Sequence, residues 1–186
     1  MTNTSFDSLP QRIFLDSSTL QRIYDYGGFI WENEPISPND EIRRVPQGIE
    51  ELATLRNIFF VHQRAMWEFI ISKSTLDEVN AKHERGYSKY SLDVFDYSTI
   101  CIEESDISPR HSINEAENIK KILSHNLSQK DLKLVIEAQF LACDSFLTCD
   151  RKLVKSKEII LKHLEILIMS PVSYWEMIKP WARLYV

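Results

Sequence analysis

Glycine is scarce in this chain, four in 186 residues, and seven prolines accompany it. That composition argues against disorder and against a loop-rich all-β design. It also leaves no glycine-rich phosphate loop, no Gly-x-Gly-x-x-Gly and no Gly-x-Ser-x-Gly. Long apolar runs are lacking too: none approaches the ~20 residues that span a bilayer, so no membrane partner is expected. The first residues, Met1 to Asp7, lack the basic and apolar regions of a signal peptide. Cysteine is limited to Cys101, Cys143 and Cys149, with no Cys-x-x-Cys pair. Reduced core thiols in a cytoplasmic protein are the simplest reading. His62, His83, His111, His125 and His163 show no zinc-ligand spacing.

Positive charge is also short. The formal net charge of −5 argues against a broad basic nucleic-acid surface. The deficit is uneven, since residues 151–186 carry seven Lys/Arg against three Asp/Glu, a local +4. Lys152, Lys155 and Lys157 within that stretch suit either a phosphate-backbone contact or a solvated helix face.

What is present fits one globular domain over residues 1–186, 44% hydrophobic and 26% charged. Apolar runs at 12–16, 67–72, 97–102, 145–149 and 165–169 read as strands. Helices are expected over 17–25, 49–66, 74–84, 112–124, 130–143 and 153–161, with a terminal helix from Val172. Tyr26 to Gln47, with Gly27-Gly28 and Pro35, Pro38 and Pro46, reads as a long loop. Alternating strands and helices predict an α/β fold with a mostly parallel sheet of about five strands, covered on both faces as α/β/α layers. The aromatic tail, Tyr174 to Tyr185, is expected to pack on the sheet, with a dimer or partner surface as the alternative.

Four acids fall where such elements end or begin. Asp16 closes the first strand, and Asp150 follows the fourth. Glu78 lies on the helix after Ser74, and Asp131 heads the helix after Ser128. Parallel sheets bind ligands at the carboxyl ends of their strands, so Asp16 and Asp150 can converge there. Crowded carboxylates raise one another's pKa unless a cation intervenes, and hard oxygen donors favour Mg²⁺ or Mn²⁺. Taken singly, each acid also fits a helix cap or a surface position. Asp144, at the far edge, reads as a turn residue.

Phe14-Leu15-Asp16-Ser17-Ser18, Ile70 to Val79 with its Ser74-Thr75-Leu76-Asp77-Glu78, and Asp131 to Asp150 with Thr148-Cys149-Asp150 together resemble the PIN-domain nucleases. Ile166 to Pro171 is similar to that family's closing strand and proline turn. The resemblance implies a PIN-like fold and a metal-dependent endoribonuclease. Asp16, Glu78, Asp131 and Asp150 would be both catalytic and metal-holding, with one or two Mg²⁺ or Mn²⁺ ions. Thr148, Ser17 and Ser18 would orient those carboxylates. RNA would be the substrate, and an antitoxin protein or a second copy of the chain would be partners. A degenerate domain serving only to bind nucleic acid or protein is the alternative. A segment of about 26–66 departs from compact members of the family, as a substrate clamp, a partner site, a lid or an ornament.

Overall fold

The computed structural model describes residues 8–65, 67–105 and 113–185. The expectations for Met1–Asp7, His111 and Ser112 lie outside the described residues. The first strand, β1 (Arg12–Leu15), leads into α1 (Ser17–Asp25) and α2 (Gly27–Glu32). A 3₁₀ turn over Glu41–Arg44 precedes the long α3 (Gly48–Ala65), which enters β2 (Glu68–Ile70). Then come α4 (Lys73–Asn80), α5 (Arg85–Glu103), α6 (Ile113–Leu123) and α7 (Gln129–Phe140). The last third holds β3 (Ser145–Leu147), α8 (Arg151–Lys155), α9 (Lys157–His163), β4 (Leu167–Met169) and α10 (Pro171–Ile178). A 3₁₀ segment over Lys179–Tyr185 follows.

Among the described residues the sheet has four strands in the order β2-β1-β3-β4, and every pairing is parallel. A fifth strand at 97–102 is not formed; those residues belong to α5. Burial explains the difference. Tyr87, Ser91 and Ser98 turn inward at a helical interval, while Tyr97 and Ile100 are about half exposed. The helical stripe therefore overrides the local preference of a β-branched run. Ser98 also accepts the Ile71 N–H at 3.0 Å, which satisfies a backbone donor beside the edge strand.

Side-chain alternation splits the strands between two cores. Ile13, Leu15, Phe69, Leu147 and Met169 pack with Leu20, Leu52, Leu55, Ile58 and Tyr174. Phe14, Ile70, Phe146 and Ile168 pack with Leu132, Val135, Ala138 and Ile160. The Phe14 and Phe146 rings stack across β1 and β3 at 4.9 Å. The tail packs into the first core as expected, with Tyr174 and Ile178 fully buried.

Two other expectations are corrected. Residues 26–47 are not one long loop, because α2 forms despite Gly27-Gly28 and stops at Asn33 with φ 61°. The helix expected over 153–161 is two, α8 and α9, divided at Ser156.

Among the described residues no helix is long and apolar enough to cross a membrane.

Candidate functional site

From β1 the chain builds outward to β2, then crosses back to lay β3 on the other side of β1. The strand order reverses between β1 and β3. In open parallel sheets that reversal opens a crevice beyond the carboxyl ends of the two strands. Asp16 stands directly after β1, and Thr148, Cys149 and Asp150 stand directly after β3.

Asp16 is 5% exposed. Its carboxylate caps α1 by accepting the Thr19 N–H at 2.7 Å. It also accepts the Ser18 hydroxyl at 2.9 Å and the Thr148 hydroxyl at 2.5 Å. Burial pushes its pKa above the ordinary aspartate value, and the hydrogen bonds from Thr148, Thr19 and Ser18 pull against that shift. Two more bonds cross between the strand ends: Thr19 Oγ1 donates to the Leu147 carbonyl at 3.0 Å, and the Cys149 N–H donates to Ser18 Oγ at 3.2 Å. Thr148 Oγ1 accepts the Asp150 N–H at 2.9 Å, so this one hydroxyl touches both aspartates' residues.

Glu78 reaches the same region from α4. Its Oε2 accepts the Ser17 hydroxyl at 2.8 Å, one residue from Asp16. Ser74 in turn donates to Glu137, which ties α4 to α7. Asp150 is the N-cap of α8, and Asp131 is the third residue of α7, whose N-cap is Ser128. Asp150 Oδ1 accepts the Lys152 N–H at 2.7 Å at the start of α8. Asp131 and Ser128 bond reciprocally: the serine hydroxyl donates to Asp131 Oδ2 at 2.7 Å, and the Asp131 N–H donates to Ser128 Oγ at 3.1 Å. Lys152, Lys155 and Lys157 are exposed, and Lys157 lies 3.9 Å from Glu158. Asp144 sits at the opposite end of the sheet, where Oδ2 accepts the N–H groups of Gln11 and Arg12 at 3.0 Å each.

Among the described residues, no three His, Cys, Asp or Glu side chains lie close enough together to hold a metal ion. Asp16 and Glu78 are the acids that the packing draws together, through adjacent serines. An oxygen-only pair of this kind suits Mg²⁺, which keeps several waters and takes one or two carboxylates from a protein. The burial of Asp16 bears on the fit as well, because a cation beside a desolvated carboxylate offsets the cost of its charge.

Sequence reasoning missed Glu51. It lies in the first turn of α3, 4% exposed, and its Oε2 accepts no hydrogen bond. Arg22 Nη2 approaches it to 4.0 Å. Burial raises the Glu51 pKa, against the charges of Arg22 and Arg151. Its field reaches Cys149: burial first, then the charges of Glu51 and Asp16, push that thiol up to about 12. Arg151 donates to the Pro46 carbonyl, so the 26–66 segment is clasped to the rim of the crevice. At Gly48 a Cβ would lie 2.5 Å from the Ile42 carbonyl oxygen, so glycine lets the start of α3 close onto the 3₁₀ turn before it. One signal could have revealed Glu51. It shares the helical interval of Leu55, Ile58 and His62, an acid placed in an apolar stripe.

Comparison with protein-family models, with curated proteins and with solved structures finds no match to this chain.

Proposed function

We propose that this chain is a divalent-metal-dependent endoribonuclease on a three-layer, PIN-like α/β/α domain. One observation carries the reading: a buried carboxylate, Asp16, at the reversal of strand order, bonded to the Thr148 hydroxyl from the neighbouring strand end. Asp16 and Glu78 would supply the carboxylates for Mg²⁺ or Mn²⁺; Asp131 and Asp150, engaged at helix starts and not grouped with them among the described residues, enter the proposed ligand set through the family resemblance alone. Such an ion, when bound, lowers the pKa of a coordinated water and screens phosphate charge. Thr148, Ser17 and Ser18 hold the carboxylates in place through the hydrogen bonds described. Lys152, Lys155 and Lys157 follow Asp150 on α8 and the start of α9, where they would meet the phosphate backbone of RNA. A cytoplasmic setting suits this substrate. One version is the toxin of a toxin–antitoxin pair, neutralised by an antitoxin protein. The other is a stand-alone RNA-processing or defence nuclease, alone or as a homodimer.

A second reading is a catalytically degenerate domain that binds nucleic acid or protein. The engagement of Asp131 and Asp150 in helix caps favours it. Incubation with mixed RNA and DNA in Mg²⁺, Mn²⁺ and chelator separates the two. Cleavage of RNA with metal and none with chelator supports the nuclease. Binding without cleavage in either metal supports the second reading in its nucleic-acid form, and neither binding nor cleavage removes the nuclease and leaves only the protein-binding form.

A further inference from the structure

A cavity of about 470 Å³ lies between α2 and α3, away from the acidic crevice. Phe29, Trp31, Arg56, Asn57, Phe60 and Gln63 contribute to its wall. The volume falls within the range of small-ligand pockets. Two large rings remain open to solvent beside it, Trp31 at 47% and Phe60 at 46% exposure. Guanidinium groups already lie over two of the rings: Arg64 sits 4.3 Å from the centroid of Phe60, and Arg56 sits 5.8 Å from that of Phe29. Among the described lining residues Arg56 is the one charged side chain, in a chain whose net charge is −5.

We infer that this cavity takes an unstacked nucleobase of single-stranded RNA, held between aromatic faces, with Arg56 and Arg64 serving the adjoining phosphates. The inference rests on the nuclease reading for its substrate class, and it adds a second contact remote from the reacting bond. Aromatic planes interleaved with arginine are what single strands use, because every base offers a π-face. The amides of Asn57 and Gln63 supply donors and acceptors for a base edge. An amphipathic protein helix would need a continuous apolar floor. The α3 face offers Ala53, Arg56, Asn57, Phe60 and Gln63 instead, with polar groups inside the stripe. Glu51 at the crevice and Arg56 at the cavity are on one helix, about 8 Å apart along its axis at 1.5 Å per residue and about 140° apart around it, so a strand touching both would have to pass around α3.

The test is binding of a fluorescein-labelled, unstructured uridine oligomer to the full chain in EDTA, read by anisotropy. Trp31→Ala and Phe60→Ala should each weaken binding about tenfold, a usual loss for one stacked base. Trp31→Phe, which keeps a ring, should bind like the parent. Arg56→Gln should weaken binding and reduce the salt slope by about one. Trp31 also packs on Phe59 at 4.7 Å, so Phe60→Ala decides the matter if Trp31→Ala does not fold. Parent-like binding by Phe60→Ala overturns the inference, as does equal loss in Trp31→Phe and Trp31→Ala. Capture of a protein partner by this face, with RNA affinity unchanged in the variants, overturns it too. Cleavage is measured separately with Mn²⁺. An inactive parent whose RNA binding still falls in Phe60→Ala loses the nuclease reading alone and keeps the cavity. An active parent with unaffected variants loses the cavity alone.

Discussion

The Thr148 hydroxyl donates to the buried carboxylate of Asp16 at 2.5 Å, joining the ends of two neighbouring parallel strands. The same oxygen accepts the Asp150 N–H, so one small side chain sets the spacing of two acid-bearing loops. Thr148→Val keeps the volume and removes that hydroxyl. It should cost about 1.5–3 kcal/mol, the usual worth of a hydrogen bond to a charged group, measured by denaturant unfolding. It should also raise the Asp16 pKa further, moving the acidic limb of any pH–rate profile to higher pH. Thr148→Ser should restore both.

Asp16→Asn and Asp150→Asn each keep size and a capping oxygen while removing a charge. Each should abolish RNA cleavage and leave the melting temperature equal or higher. The gain should be larger at Asp16, whose charge is the one buried. Glu78→Gln and Asp131→Asn should behave alike if all four acids serve one centre. Parent-level turnover by any one of the four would remove that residue from the site.

Metal should stabilise the fold by linkage. An ion that binds only the folded chain adds about 2.7 kcal/mol at a hundredfold excess over its Kd. Melting in Mn²⁺ should therefore lie above melting in EDTA. Asp16→Asn should erase the difference. Superimposable curves for the parent would count against a metal at this crevice.

Glu51 gives a pH prediction with a definite sign. Its folded pKa is raised, so folding favours the protonated form. The stabilising contribution is complete below the unfolded value, about 4.3, and is lost as pH rises through the folded value. Glu51→Gln cannot ionise. Its melting temperature should gain on the parent steadily as pH climbs from acid to neutral. Parallel curves would mean that the Arg22 charge fully offsets the buried carboxylate.

The strands that carry the crevice were legible because their signals are local and agree. Phe14, Phe146 and Ile168 are fully apolar neighbours with acids or caps just beyond. The α5 stretch was not, because Tyr97 to Ile102 has the composition of a strand and its helical stripe is built partly on serines, Ser91 and Ser98. A hydrophobic pattern search passes over a buried serine. The resemblance implied that Thr148, Ser17 and Ser18 would orient the acids, and those hydroxyls do meet Asp16 and Glu78, but which serine meets which acid was not legible. Ser17 meeting Glu78 and Arg22 meeting Glu51 are contacts between residues 61 and 29 positions apart. Only packing of α1 against α4 and α3 decides them. The role of Pro46 as an acceptor for Arg151 is likewise a property of the folded chain.

Asp144 and Asp16 bracket the same pair of strands from opposite ends. Asp144, just before β3, grips the backbone leading into β1, while Thr148, just after β3, grips Asp16. Between these two grips the strands are only three or four residues long. A slip by one position would break both at once and send Ile13 and Phe14 into each other's cores. The crevice therefore behaves as a fixed gauge. Adding or deleting a single residue between Ser145 and Thr148 would not adjust the separation of the two loops by a small increment; it would discard the register that lets Thr148 meet both Asp16 and the Asp150 N–H.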